Sequence, residues 1–544
     1  MPASHSRDLP QCLEQLNRIG IALSRERDTP KLMEVLLETA ISLISVDGGT
    51  LYRLDEDTCE LHFVVLQNRS LQLRMGGASG NAIPFPPIPL YDAAGQPNTS
   101  MVVTYAVLHD TTVVIDDAYS ESHFDFSGTR RFDQRTGYHS HAFLTVPMKD
   151  HTGRIIGVFQ LINALDPDSG QLRHFSAADR QLAESLASQA AIALTNQRLI
   201  LQLQQFFEGL IEMINIAIDH KSAHTGGHCQ RVPALTMMIA EAARNCAHGP
   251  LAQFQPSDAE LYEIKIAGLL HDCGKIVTPV HLVDKSTKLE TLFDRIHLLD
   301  TRFEVLKRDA EIAWLRETLA ASARGDHAAL PVLEQRYRDT LATLDEEREH
   351  LRHCNIGGET LNSAAQQRIV QIARRRWTGP DGQERDLLDA DEIANLCIER
   401  GTLNPEERRI IEEHVVLTLR LLNSLPWPRN LRNVPEYAAC HHEKLDGSGY
   451  HRGLDASNLP LPARIIGLAD IFEALTARDR PYKPGKPLSE VLQILGRMAE
   501  KRHIDPDLFD LFVRNGLWLD YARQYLPPEQ IDTVDLSRIP GYTP

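Results

Sequence analysis

Long hydrophobic runs are missing from this chain. No apolar stretch reaches the roughly 18 residues that a membrane-spanning helix needs. The opening residues, MPASHSRDLPQ, are polar and lack the apolar segment of a secretory leader. The sequence therefore predicts no membrane insertion. Paired cysteines are missing as well: the 8 cysteines are dispersed and none stands in a CxxC spacing. That usage fits a reducing compartment, so a cytoplasmic location is expected. Nor is there a basic surplus. With 57 Lys+Arg against 74 Asp+Glu, the formal net charge is −17. This argues against long nucleic acid as a partner, which needs a basic face, but not against a small anion held by a few local cations. At 544 residues the chain is too long for one hydrophobic core, and about two to four domains are expected.

What is present begins with an α/β pattern over residues 1 to about 200. A helical stretch (Pro30 to Ile44) leads into alternating segments, Gly49 to Leu54 and Leu61 to Leu66. Phe143 to Met148, a turn at Asp150 to Gly153 and Ile155 to Leu161 then read as a hairpin. The ending, a strand, Asn163 and then FSAADRQLAESLASQAAIAL, resembles a GAF domain. The resemblance implies an antiparallel sheet flanked by helices and an unknown small ligand. Asn163 and Asp166 are similar to the NKxxDE motif of cyclic-nucleotide-binding members, but Ala164 stands at the Lys and the Glu is absent. His139 and His141, two apart near a strand, are read as polar surface or pocket residues in preference to metal or haem ligands.

From Leu182 through Leu186, Gln189, Ala193, Asn196, Ile200, Leu203, Phe207 and Leu210 to Ile214, mainly apolar positions alternate by four and three. This is the seam of a left-handed coiled coil, with Asn196 as a register-fixing polar position. It predicts a connecting helix over 176–220 and a parallel homodimer.

The C-terminal half carries seven candidate metal ligands: His228, His271-Asp272, His414, His441-His442 and Asp470. The pair His271-Asp272 opens HDCGK behind an apolar run, Ile264 to Leu270, that reads as a buried helix. Imidazole with carboxylate suits iron, manganese or zinc better than magnesium. One Asp among several His can bridge two metals, and two metals clamp the attacking and leaving oxygens of a phosphodiester.

The order of HxxR (His228 to Arg231), HDxGK (His271 to Lys275), a lone His414, HHExxDGxGY (His441 to Tyr450) and ADIFEALTxRxRPYK (Ala469 to Lys483) resembles the HD-GYP family. This bacterial subgroup of HD-domain phosphohydrolases acts on cyclic di-GMP. Any one motif is common; five in this order are specific. The resemblance spans about 205–520 and implies an all-α domain. In it His228, His271, Asp272 and Asp470 would hold one ion, and Asp272, His414, His441 and His442 the other. The ions implied are two divalent metals, iron or manganese. His224, four residues before His228, is a candidate ligand for a third. Lys275 would act beside Asp272 on the phosphate or on a carboxylate. Tyr450, Arg480 and Lys483 would contact substrate. His451 stands where the family has Pro, in a loop linked to GGDEF-domain partners. The implied reaction is hydrolysis of cyclic di-GMP to pGpG, or on to GMP, under GAF control. A non-catalytic cyclic di-GMP receptor, and a hydrolase of another nucleotide such as cyclic GMP-AMP, stay open. Asp272 and His414 are 142 residues apart, so a helical insertion is expected at about 288–403. It would be a lid, a dimer arm or a solvated spacer. Residues 521–544 read as a tail.

Overall fold

The computed structural model describes residues 29–221, 227–358, 360–478 and 485–543. They form two compact units that divide between Phe207 and Glu208. Among the described residues no helix is long and apolar enough to cross a membrane.

The N-terminal unit opens with α1 (Thr29–Ile44) and strands β1 (Val46–Asp55), β2 (Glu60–Asn68), β3 (Leu73–Gly76) and β4 (Ile88–Pro89). Next come α2 (Val102–Leu108), β5 (Val113–Ile115), α3 (Ser127–Thr136), β6 (Phe143–Lys149), β7 (Ile155–Leu165) and β8 (Leu172–Arg173). The sheet runs β3-β2-β1-β7-β6-β5 and is antiparallel throughout, with β4 on β2 and β8 on β7. Side chains alternate across it. Leu51, Leu144, Val146 and Leu161 face a core shared with Leu36 and Leu37 of α1. Tyr52, Val158 and Phe143 point to the opposite face, into two smaller clusters with residues of α2. The predicted hairpin is β6–β7. Its turn is pinned by Asp150, whose Oδ1 accepts from the backbone N–H of Thr152 and Arg154.

Helix α4 (Ala177–Lys221) is continuous over 45 residues. It starts at a reciprocal cap, with Ser176 Oγ accepting from Asp179 N and Asp179 Oδ2 from Ser176 N. The buried Asp179 carboxylate also takes the Arg173 guanidinium. The expected seam divides along this helix. Leu186 is buried, with Ala187 and Ala190 beside it, and Leu182 packs against them, all in the unit's own core. Ile200, Leu203 and Leu210 are exposed. A helix that closes its own domain at one end and presents an apolar stripe at the other meets two packing demands with one periodicity. Near its end, Glu208 accepts from Tyr262 Oη at 2.9 Å. Lys221 Nζ donates to the carbonyls of Lys275 and Ile276.

The C-terminal unit is helical: α5 (His228–Arg244), α6 (Asp258–Leu270), α7 (Ile296–Ala323), α8 (Ala329–Asn355) and α9 (Ser363–Ala373) come first. After the short hairpin β9 (Arg376–Thr378) and β10 (Glu384–Asp386) follow α10 (Ala390–Leu396), α11 (Pro405–Asn423), α12 (Val434–Ala439) and α13 (Leu461–Thr476). The chain closes with α14 (Leu488–Glu500), α15 (Pro506–Arg514) and α16 (Leu517–Tyr525). In α14 the buried Leu488, Val491, Leu492, Leu495 and Ala499 form one apolar stripe. It packs with Val232, Leu235, Phe472, Phe509 and Phe512. Residues 521–544, read as a tail, begin inside α16, and Tyr521, Ala522, Val534, Leu536 and Ile539 all pack on this same core.

The interval 288–403 has a core of its own, built from residues such as Leu299, Phe303, Leu351, Ile369 and Leu396. It is a folded subdomain. Its two longest helices, α7 and α8, form a helical hairpin, held by contacts such as the stacked Trp314 and Tyr337 rings, 4.9 Å apart. At its neck the buried Lys285 ammonium lies 2.7 Å from both carboxylate oxygens of Glu407. Its carbonyl accepts from Thr402 Oγ1 at 3.0 Å.

Candidate metal centre

The expected ligands come from five helix ends or faces. His228 opens α5 behind Gly227, whose φ of +82° no β-carbon-bearing residue adopts readily. His271 caps α6, whose start is fixed by a capping box of Ser257 and Glu260. Asp272 follows in the turn into a short 3-10 helix, Cys273–Ile276. His414 lies mid-way along α11, His441 and His442 just past α12, and Asp470 on α13. Two glycines let these elements close. A β-carbon on Gly274 would sit 2.0 Å from the His414 carbonyl, and one on Gly467 2.6 Å from that of His441. The Gly of HDxGK is therefore a contact requirement. Thr418 Oγ1 fastens the same turn, accepting from Gly274 N at 3.0 Å.

Three of the imidazoles are held alike. Nδ1 of His271, His414 and His441 lies 2.8, 2.5 and 2.6 Å from the carbonyls of Gly268, Ile411 and Ala438 respectively. A carbonyl can only accept, so Nδ1 carries a proton, and each ring in its neutral form presents its Nε2 lone pair inward. All three Nε2 atoms are buried and without a hydrogen-bond partner, as is Asp272 Oδ1. Four orphaned buried polar atoms on one centre would cost several kcal/mol if nothing met them. A divalent cation is what such a donor set fits.

Asp272 stands between the groups. Its Oδ2 lies 3.2 Å from His228 Nε2 and 3.4 Å from His271 Nε2, and its Oδ1 lies 3.3 Å from His414 Nε2 and 3.9 Å from His441 Nε2. Asp470 Oδ1 is 3.4 Å from His228 Nε2 and 3.8 Å from His271 Nε2. Six of the seven candidate ligands fall into two groups of three that could each hold an ion, His228 with His271 and Asp272, and His414 with His441 and His442, each spanning at most 4.8 Å. The electrostatics divide in the same way. Burial opposes charge on the rings of His228 and His271, but the facing carboxylates outweigh it and hold them up at about 9 and about 10. Burial pushes His442 down to about 3 and, with its neighbouring imidazoles, drives His441 well below the usual histidine range. Burial would raise Asp272, yet Lys275 and His271 hold it well below the ordinary carboxylate range.

His228 is positioned differently from these three imidazoles. Its Nδ1 meets the Glu473 carboxylate at 2.6 Å, and the other oxygen of Glu473 accepts from Arg231 Nε at 2.7 Å. Glu473 is buried and was not among the expected site residues. The signal was available: Glu473 follows Asp470 by three, as Arg231 follows His228, so each pair shares a helix face. Lys275 Nζ donates to Asp272 Oδ2, the candidate bridging carboxylate itself and not a carboxylate behind the ligands. The Tyr450 ring stacks beside His442 with centroids 4.9 Å apart. Its loop is fastened by buried Glu443, which accepts from the backbone N–H of Arg452 and Leu454 at 2.7 and 3.0 Å. His224, Arg480 and Lys483 lie outside the described residues.

In the N-terminal unit, Asn163 Oδ1 accepts from the backbone of His141 and Ala142, while Asp166 fastens a turn through Ser169. Both are structural. The His139 ring stacks on Tyr119, and His141 faces Asp117.

Residues 28–194 match a family model described as GAF domain, and residues 390–508 match one described as HD domain. The chain carries a GAF domain followed by an HD domain. The matched HD segment takes in His414, His441, His442 and Asp470, while His228, His271 and Asp272 lie upstream of it. An HD domain implies divalent-metal binding, and the donor set fits that. Over 116 residues the chain is 48% identical to the 3'3'-cGAMP-specific phosphodiesterase 1 of Vibrio cholerae, covering 21% of this chain and 26% of that protein. It is 35% identical over 119 residues to a cyclic di-GMP phosphodiesterase of Thermotoga maritima, covering 22% and 32%. Against the cyclic di-GMP phosphodiesterase response regulator RpfG of Xanthomonas campestris pv. campestris it is 30% identical over 230 residues, covering 41% and 53%. The alignments thus span between a quarter and about half the length of these relatives.

Proposed function

We propose that this chain is a metal-dependent phosphodiesterase of the HD-GYP type that hydrolyses cyclic di-GMP to pGpG, or on to GMP, under control of its GAF domain. The observation that carries the reading is the convergence of three unpartnered imidazole Nε2 atoms on both sides of one buried aspartate. His228, His271, Asp272 and Asp470 would hold one divalent ion, and Asp272, His414, His441 and His442 the other. The imidazole-rich donor set favours iron or manganese. Bound there, such ions supply Lewis acidity toward a phosphoryl oxygen and water of lowered pKa. The chain's own residues do the rest. The backbone carbonyls under His271, His414 and His441 fix which nitrogen faces inward. Lys275 keeps Asp272 ionised and aimed. Tyr450 offers a ring face at the mouth beside His442, and Arg480 and Lys483 would meet the second phosphate. The exposed stripe of α4 supports a homodimer, and the loop around Tyr450 is where a GGDEF-domain partner would dock.

A second reading is favoured by a specific observation: the Vibrio cholerae protein that is 48% identical over 116 residues is named for 3'3'-cGAMP. One experiment separates the readings. Metal-loaded protein is incubated with cyclic di-GMP and with 3'3'-cGAMP, and the products are resolved by chromatography. Faster turnover of cyclic di-GMP is expected. Turnover of 3'3'-cGAMP alone would move the assignment to that substrate, and tight binding without turnover of either would make the protein a receptor.

A further inference from the structure

The last part of α4, from Glu208 on, belongs to the C-terminal unit. Ile211, Asn215 and Ile218, spaced four and three apart, bury one face of it. Its polar contacts follow a fixed order. At one end Glu208 accepts from Tyr262 Oη at 2.9 Å and lies 3.7 Å from Lys265 Nζ, both on α6. At the other, Lys221 Nζ donates to the carbonyl of Lys275 at 3.1 Å and to that of Ile276. The offset along the chain is 54 residues for Glu208 with Tyr262 and again for Lys221 with Lys275. Two segments that keep one offset run side by side in the same direction. Sliding α4 along α6 would therefore break both contacts.

Lys221 meets the weakest part of the frame around the ligands. Cys273–Ile276 is a single 3-10 turn, and a turn that short is marginal by itself. A cation suits the carbonyls at its end. One side of the turn is fastened to α11, through Thr418 and the close approach of Gly274 to His414. The other side is fastened to α4 by Lys221. Lys275 is thereby held twice, by Lys221 at its carbonyl and by Asp272 at its ammonium. Asp219, two residues before Lys221, reaches a different segment. Its Oδ2 accepts from Gly227 N at 3.0 Å, directly before His228. Residues two apart on a helix do not face the same way, so one turn of α4 grips two backbones. These are the segments that bring His228 Nε2 within 3.2 Å of Asp272 Oδ2. His414 and His441 have carbonyl anchors of their own, at Ile411 and Ala438.

We propose that Lys221 and Asp219 are positioning residues of the candidate metal centre. The last turn of α4 sets the distance between His228 and Asp272, and with it the affinity of the His228 group for its ion. The His414 group is set by α11 and α12 instead. This inference rests on the metal-dependent reading above. A displacement of α4 along α6 would loosen one ion and spare the other.

The test measures Mn²⁺ binding to the full chain by equilibrium dialysis, without substrate. Wild-type protein is expected to bind two ions. Lys221→Met, similar in length but without a donor, should weaken one ion about tenfold, the lower end for a group acting behind a ligand, and leave the other unchanged. Lys221→Arg keeps the donors and should restore most of the loss. Asp219→Ala should weaken the same ion, whereas Asp219→Asn retains an acceptor for Gly227 N and should not. In an Asp470→Ala background the His228 group has already lost a ligand, so Lys221→Met should not weaken the ion that remains. Melting temperatures close to wild type are expected, since every variant keeps the buried face of α4. A single ion in the wild type, unchanged affinity in Lys221→Met, equal weakening of both ions, or a further loss in the Asp470→Ala background would each overturn the proposal. The two readings fail separately: wild-type protein that binds both ions but turns over neither cyclic dinucleotide would sink the phosphodiesterase and leave the positioning role standing.

Discussion

At the scale of single residues, the centre depends on which atom each ligand presents. Asp272 lies between the two groups of imidazoles, within 3.4 Å of members of both. Asp272→Ala is expected to bring metal content, read by inductively coupled plasma mass spectrometry, close to zero and to abolish turnover. Two retained ions at a near-normal rate would refute the bridging assignment. Glu473 acts through His228, orienting its ring and raising its basicity from the far side, as carboxylates behind metal-bound histidines do. Glu473→Gln should weaken metal affinity about 10- to 100-fold, with loss first from the His228 group. Equilibrium dialysis showing unchanged affinity would leave Glu473 as a packing residue only. The seven candidate ligands could be named without coordinates because motif order and residue type single them out. Glu473 was not singled out: a carboxylate one turn after another on a helix reads as a solvated face until a partner helix is seen opposite. Nor could sequence choose between phosphate and carboxylate for Lys275, since that depends on which way one flexible chain folds.

At the scale of elements, the hairpin β6–β7 and the helix of Ile264–Leu270 are where periodicity and turn residues put them, because each carries its own local signal. The long seam was less decisive. A four-and-three repeat states which face is apolar but not what covers it, and in α4 the domain's own sheet covers the first part. The start of α4 carries a pH dependence. Burial would raise Asp179, but Arg173, with Ser176, holds it below the ordinary carboxylate value. A depressed folded-state pKa means stability that is present above the unfolded value near 3.8 and is lost as pH falls through the folded one. Asp179→Asn should therefore lower stability at pH 7, on the order of 3 kcal/mol for breaking a buried pair. It should also flatten the acid limb. Melting curves at pH 7 and in acid would check both, and an unchanged acid limb would assign that loss to other carboxylates.

At the scale of the whole molecule, the exposed stripe of α4 invites a second copy. Leu203 and Leu210 are 68% and 38% exposed, and burying each would contribute roughly 1.5–3 kcal/mol. Replacing both by Glu should give monomers in analytical ultracentrifugation while metal content stays normal; a persistent dimer would place assembly on another surface. The insertion's length conveyed that something folds there, but its independent core emerges only when α7, α8, α9 and α10 are seen together. Its neck has a kinetic consequence. The two halves of the metal centre are 142 residues apart in the chain, and closing a loop that long in an unfolded chain costs about 4 kcal/mol of entropy. Once the insertion has condensed and Lys285 has found Glu407, only short segments separate Asp272 and His414 from the clasp. The remaining closure is then cheaper by roughly 2 kcal/mol. An insertion that folds first would bring the ends of its own detour together and so set the order in which the candidate metal ligands can meet.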